Sequence, residues 1–458
     1  MILYLFQHCS LFALIVNVYL APALSRFFNT AMTLLQVLNQ SRQLSIRDTF
    51  TYGHAIVLFQ HQQKKNMRRL ILLAFAIIAC LSSQAQSTVS PSPYFTYGKG
   101  LGIISPDSAF LLNIRFRMQN RAAFTTEDGD DFSISEVEAR IRRLRLRFDG
   151  FIYTPKLTYL IQLSFSRGDL DYESLGFPNI VRDAYIQYAV SKSFSFGFGQ
   201  TKLPGNRQRV ISSGDLQLPD RSIVTNAFNI DRDFGVQFTF KKPKVVLRGA
   251  VSSGEGRNLN TSDDGLAYTG RAEILPMGQF TNGGDYYEGD LARESKPKFS
   301  IGFGYSFNQN AVRTGGQLGG YLYQPTDIGT AIFDLVYKHK GFALSAEYMK
   351  RTSPNPISTN SDGAEKYVYV GDGKNIQGSY IFKNNFEIVS RYSIVNPGEE
   401  IKTREKIKEQ YTLGLNKYIK GHRIKLQTDV TYQQDRFDEV SATVKDFWIY
   451  RFQIEVGI

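Results

Sequence analysis

Cysteine is almost absent from this chain: there are two, Cys9 and Cys80, and both lie near its start. With no thiol beyond residue 80, the body of the protein has neither a disulfide framework nor a cysteine metal site. Histidine is as sparse, with only His339 and His422 beyond residue 61. A hydrolase needs a nucleophile, a base and an orienting group within reach of one another, and no Gly-x-Ser-x-Gly stands in a strand-to-helix context. The expectation is a protein that is not an enzyme and uses no cofactor. Long apolar runs are missing after residue 85, where none approaches the roughly 20 residues of a spanning helix. The mean hydropathy of −0.24 agrees, and a polytopic helical membrane protein is excluded.

An excess of positive charge, formally +12, first suggests nucleic acid, but residues 1–85 hold seven basic residues and one acidic, leaving +6 beyond them. No basic module accompanies it, so no nucleic-acid partner is expected.

What the chain has in quantity is 34 Phe, 26 Tyr and 38 Gly, a balance that suits strands and turns. Residues 112–121 (LNIRFRMQNR) and 140–148 (RIRRLRLRF) alternate apolar side chains with arginine. Alternation is the period of a strand, whose successive side chains face opposite ways. One face carries Leu112, Ile114, Phe116, Met118, Leu144, Leu146 and Phe148; the other carries Arg115, Arg117, Arg121, Arg143, Arg145 and Arg147. A membrane barrel accommodates this, with lipid against the apolar face and a water-filled lumen against the charges.

The front of the chain reads as an export signal. Met67-Arg68-Arg69, an apolar stretch over 70–81 and Ser82-Ser83-Gln84-Ala85 make a signal peptide over 67–85, cleaved after Ala85. Ile77-Ile78-Ala79-Cys80 also resembles a lipoprotein box, although a self-inserting barrel needs no lipid anchor. Residues 1–66 read as an over-extended gene start, with a membrane anchor over 1–23 as the weaker alternative. Residues 86–108 form a short periplasmic segment, and 109–458 the barrel.

Between residues 110 and 457 the alternation predicts sixteen strands, each near the 9–11 residues of a tilted membrane strand. Short links at 153–156, 191–192, 241–244, 340–341, 383–385 and 420–421 alternate with long ones at 124–136, 202–232, 253–266, 309–328, 352–372, 395–408 and 435–445. The expected fold is therefore an all-β transmembrane antiparallel β-barrel with short periplasmic turns and long outer loops. The link 276–297 breaks the alternation, being long on the short-turn side. Tyr153, Tyr188, Phe240, Tyr337, Phe342, Phe382, Phe386 and Tyr418 stand beside the short turns as an aromatic belt.

Arginine keeps its charge and offers a fork of donors to phosphate or carboxylate oxygens. Arg115, Arg117, Arg121, Arg143, Arg145 and Arg147 would form an anion-binding ladder on two adjacent strands, with Arg140 and Arg142, out of phase, at the outer mouth or across a bulge. The longest link, 202–232, would fold inward as a constriction loop and add Arg207, Arg209 and Arg221. The bland alternatives are an exposed loop and a mixed polar wall whose arginines pair with Asp149, Asp183, Asp334, Glu347 and Asp429.

Residues 142–163 (RRLRLRFDGFIYTPKLTYLIQL), Arg182-Asp183-Ala184-Tyr185 and the run from Gly199 to Gly205 (GQTKLPG) resemble the phosphate-selective porin O and P family, and 290–305 and 334–348 fit its pattern too. The resemblance implies a trimeric sixteen-stranded porin in the outer membrane of a Gram-negative bacterium, with an arginine ladder and an inward third loop. Its partners would be small anions, phosphate or similar, and outer-membrane lipid. The alternatives are a non-selective general porin or a structural or adhesive barrel, with a barrel hydrolase the remotest.

Overall fold

The protein is described by a computed structural model over residues 94–96, 100–170, 178–259, 265–437 and 445–458. The expected signal peptide, the over-extended start and Cys80 lie outside the described residues. All sixteen expected strands are present: β1 (Phe110–Thr126), β2 (Ile134–Ile152), β3 (Thr154–Ser164), β4 (Val181–Ala189), β5 (Phe194–Lys202), β6 (Arg232–Lys241), β7 (Val245–Ser252) and β8 (Ala267–Ile274). They continue as β9 (Lys298–Arg313), β10 (Tyr321–His339), β11 (Phe342–Thr352), β12 (Gly371–Ile381), β13 (Phe386–Pro397), β14 (Ile407–Tyr418), β15 (Ile424–Arg436) and β16 (Lys445–Gly457). Each pairs antiparallel with its successor, and β16 returns to β1 with Ile449 opposite Thr125 and Gly457 opposite Arg117. Closure pairs the backbone groups that an open edge would leave bare, which lipid could not satisfy.

Side-chain placement inverts that of a water-soluble sandwich. Phe116, Phe196, Phe198, Phe238, Leu413, Leu415, Phe452 and Ile454 stand exposed on the outside. Gln119, Arg143, Glu273, Ser300, Asp334, Gln377, Thr431 and Gln453 are buried on the inside. Apolar-out and polar-in is what the strand period dictates when the outer solvent is hydrocarbon. At the short turns Tyr153, Tyr188, Phe240, Phe342, Phe382 and Phe386 are exposed. Lys417 covers the Phe386 ring at 4.2 Å. Tyr418 does not join this belt. It shares the inward phase of Asn416, is buried, and donates from its hydroxyl to Glu387 at 2.6 Å.

Register shifts interrupt the strand period at several points, and two of them insert an arginine. Gln119 faces Arg143 while Asn120 faces Ile141, so Arg142 is the extra residue on β2. On β4 Arg182 is extra, since Gln162 faces Asp183 and Leu163 faces Val181.

Two connections fill the interior. The link between β5 and β6 carries the short helices Arg207–Val210 and Ile223–Phe228, the second capped by Ser222, whose hydroxyl accepts from Thr225 N at 3.1 Å. Its Leu203, Val224, Phe228 and Ile230 pack on Ala250, Ile332, Met349 and Val395 of the wall. Burying each of the larger of these side chains stabilises the inward fold by about 1.5–3 kcal/mol. The wall is thinned to receive it: a Cβ on Gly414 would come within 2.6 Å of Leu218. The link between β8 and β9, anomalous in length, also turns inward. It carries a 3-10 turn over Thr281–Tyr286, and Leu275 and Phe280 are packed with Val246 and Val336.

Candidate functional site

The arginines predicted on β1 and β2 face the lumen in register. From the short-turn end upward, Arg115 lies opposite Arg147, Arg117 opposite Arg145, Gln119 opposite Arg143 and, past the bulge, Arg121 opposite Arg140. Pairs of this kind bring like charges within about 5.5 Å at the backbone, so carboxylates or an external anion must offset them. Some carboxylates are present. Asp149 accepts from Arg115 Nε at 3.0 Å and Arg147 Nε at 2.9 Å. Glu138 and Asp220 hold Arg121 between them. Arg145 donates to Asp169 at 2.8 Å and to the Ser213 hydroxyl at 2.9 Å. Arg117 reaches the Ser212 hydroxyl at 2.9 Å, with Glu455 at 3.8 Å. Arg143 is different: it donates to the Gln119 side chain at 2.8 Å and has no carboxylate ion pair among the described residues.

The long link completes the site from the opposite side. Arg209 pairs with Asp231, its Nε donating at 2.9 Å. Among the described residues Arg221 donates only to backbone oxygens, of Gln208 at 2.9 Å and Ile211 at 2.8 Å. Burial, then Arg209 and Arg145, press its affinity for a proton below the ordinary arginine range. Asp231 is buried and Asp220 half-buried, which opposes their charge, yet neighbouring guanidinium groups hold both carboxyls below the usual carboxylate range: Arg121 and Arg142 for Asp220, Arg209 and Arg232 for Asp231. Arg207 does not join these groups. It is tied on the far wall, where Nε donates to Asp334 at 2.6 Å and Nη2 stands 3.2 Å from Glu273. Of the acids weighed as partners, Asp149, Asp334 and Asp429 do pair with arginines and so does Asp183, to Arg232 at 2.9 Å. Glu347 instead lies by the Thr225 hydroxyl.

These side chains bound two cavities. The one toward the long-loop end is about 260 Å³ and is lined by nine Lys or Arg side chains and only two carboxylates, Asp169 and Asp231. The one toward the short turns is about 570 Å³ and is lined by Arg115, Arg117, Arg145, Arg147, Tyr287 and Arg423 among others. Arg145 lines both. Arg142, expected out of phase at the outer mouth or across a bulge, does sit on a bulge and lines the first cavity. Several other cations there were not singled out from sequence, among them Arg182, on the β4 bulge where the period of two fails. Lys202 and Arg232 sit where strands pass into the long link, and Lys202 donates to the Val210 and Ile211 carbonyls at 2.7 and 3.1 Å. Arg257 comes from the loop after β7.

Among known proteins, residues 112–447 match the family described as phosphate-selective porin O and P. An uncharacterized protein of Aquifex aeolicus is 25% identical over 380 residues, which is 75% of this chain and 86% of that one. Similar solved structures include the anion-selective porin from Comamonas acidovorans, at 12% identity over 76% of this chain and 99% of that chain with a TM-score of 0.48. Another is the outer membrane channel DcaP of Acinetobacter baumannii, at 12% identity over 76% of this chain and 97% of that chain with a TM-score of 0.48. The family match spans well over half of the sequence and coincides with the closed barrel: the chain belongs to the phosphate-selective porin O and P family of outer-membrane porins.

Proposed function

We propose that this porin gives passive diffusion to small anions of the phosphate type, along the inner wall of β1 to β6. The observation that carries the reading is the cavity of about 260 Å³ with nine cationic side chains against two carboxylates. Arg143, Lys202 and Arg221 have no carboxylate ion pair among the described residues, so their charge is left to an anion in the lumen. Arg145, shared with the larger cavity, hands an anion from one to the other. Conduction needs such successive sites of moderate strength, and low-dielectric walls focus the field between them. Arg115, Arg117, Arg121, Arg143, Arg145 and Arg147 serve as the ladder, while Arg209 and Arg221 narrow the route from the long link. Arg207 anchors that link rather than facing the ions. The long loops face the exterior, the short turns face the periplasm, and the barrel assembles as the homotrimer that the family resemblance implies.

The test is the reversal potential of the purified barrel in planar bilayers under a potassium chloride gradient, with phosphate titrated against chloride current. A preference for chloride over potassium, with block by phosphate, is expected; cation preference overturns the reading. A general porin is the second reading, favoured by the offsetting of Arg115 and Arg147 by Asp149 and of Arg121 by Glu138 and Asp220. It would show chloride current indifferent to phosphate.

A further inference from the structure

The lumen is divided by charge. Opposite the basic cavities, the inner faces of β8, β10, β11 and β13 carry Glu273, Asp334, Glu347 and Glu387, all buried. Arg271 of β8 offsets Glu273 and Asp334 at 2.9 and 2.7 Å and Arg248 of β7 pairs with Glu273, so the excess of acid comes from the other two and from the link that covers them. A carboxylate-lined wall open to water would admit cations. That wall is covered instead by the two inward links. Residues 275–297 bring four more buried acids, Asp285, Glu288, Asp290 and Glu294. A cavity on this side, bounded by Asp285, Glu288, Asp334 and Glu347, is only about 40 Å³. That is room for a few water molecules at most and none for a hydrated ion to pass.

The covering segment is fastened at several points. The Lys338 ammonium on β10 donates to the carbonyls of Gly284 and Tyr287, both at 2.7 Å, and to that of Gly289. The Glu288 carboxylate accepts from Gln208 at 2.9 Å, from Gln217 N at 2.8 Å and from Gln377 at 3.1 Å, and so links the segment to the long loop and to β12. At the short turns, Asp290 accepts from Gly341 N at 2.7 Å, and Arg293 donates to the Lys340 carbonyl at 2.8 Å. The Tyr286 ring lies 5.0 Å from the Arg207 guanidinium and 4.9 Å from that of Arg248. A turn serving only to connect β8 to β9 needs none of this, and the other links at this end manage with a few residues.

We infer that residues 275–297 are an internal stopper that seals the acidic half of the lumen, confining permeating ions to the basic half. Selectivity then depends as much on the half that is shut as on the arginines of the half that is open. The inference rests on the basic half being the route, and the experiment separates the two claims. Two variants are recorded in planar bilayers beside the wild type: one with residues 277–296 replaced by an Asn-Gly link, and the double substitution Lys338→Met, Glu288→Ala. Barrel formation is checked by heat-modifiable gel migration, and the double variant gives the reading if the shortened one does not fold. Both are expected to raise single-channel conductance at least about two-fold and to lower the anion-over-cation permeability ratio at least about three-fold, because carboxylates become accessible to the permeant ions. Wild-type conductance in a folded variant overturns the stopper, whatever ion the wild type selects. A wild type without anion preference overturns the basic route, while a rise in conductance upholds the stopper.

Discussion

Arg207 on the long inward link donates to Asp334 on β10 at 2.6 Å, joining residues 127 apart in the chain. The same guanidinium meets Glu273 and Asp285, and although burial opposes its charge, Asp334 foremost, then Tyr286 and Glu273, raise its affinity for the proton. The contact fixes one end of the link to the wall farthest from the ladder. Removing one member of a buried ionic group leaves the others unpaired, at a cost of about 3–5 kcal/mol. Arg207→Ala should therefore lower the melting temperature and add open-channel current noise while sparing anion preference. A quiet channel of normal stability would show that Arg207 is not the anchor.

The ladder makes a sharper demand. Arg143→Ala combined with Arg145→Ala should reduce the anion-over-cation ratio by about five-fold or more, since both line the basic cavity and Arg145 lines the next one as well. Phosphate block of chloride current should weaken with it. Block that survives unchanged would remove these two residues from the route.

Phe228 is fully buried in the apolar cluster under the long link, where its ring lies 5.6 Å from that of Tyr369 and near the Arg351 guanidinium. Truncation to alanine costs about 3–5 kcal/mol at such a site. Hydrogen exchange should then rise across residues 203–231 while the strand amides stay protected. Uniform exchange throughout the barrel would contradict a locally anchored link.

His422 sits in the turn between β14 and β15, its ring 6.0 Å from Tyr287 of the β8–β9 link and 5.2 Å from Tyr418. Burial first, then Lys425 and Lys338, hold it well below the usual histidine range. The sign follows. Above the unfolded value of about 6.5 the ring is neutral in both states and the turn is undisturbed. As pH falls below that value, the unfolded turn takes up a proton that the folded one resists, so the turn loosens. Conductance fluctuations should increase between about pH 6 and 4, and His422→Phe should suppress the increase. An identical acid response in the variant would assign it elsewhere.

Most of the barrel was legible because a period of two survives wherever one face meets lipid. The phase of Arg143, Arg145 and Arg147 against Leu144, Leu146 and Phe148 is that period at its plainest. It fails where the backbone inserts a residue, which is why Arg142 shows in the sequence only as an arginine out of phase and Arg182 does not show as a lining residue at all. Tyr418 shows a second limit. Proximity to a short turn was read as belt membership, but its phase with Asn416 turns it inward. For Arg207 the sequence offered charge, and Asp334 only as one acid of a mixed wall; that these two meet, 127 residues apart, is set by the inward fold of the link. The length of the 276–297 link was visible, but whether it hangs outward or turns in is decided by Leu275 and Phe280 packing on Val246 and Val336.

The last strand, β16, closes the barrel against β1, which carries half of the proposed ladder. Gly457 meets Arg117 and Gln453 meets Arg121 along the seam, and the Gln119 amide donates to Glu455 at 2.9 Å. The arginine wall is thus finished only when the final thirteen-residue strand docks. A half-made barrel has an unsealed flank rather than a selective leak, so the proposed ion route would come into being in the same step that makes the protein watertight against the membrane.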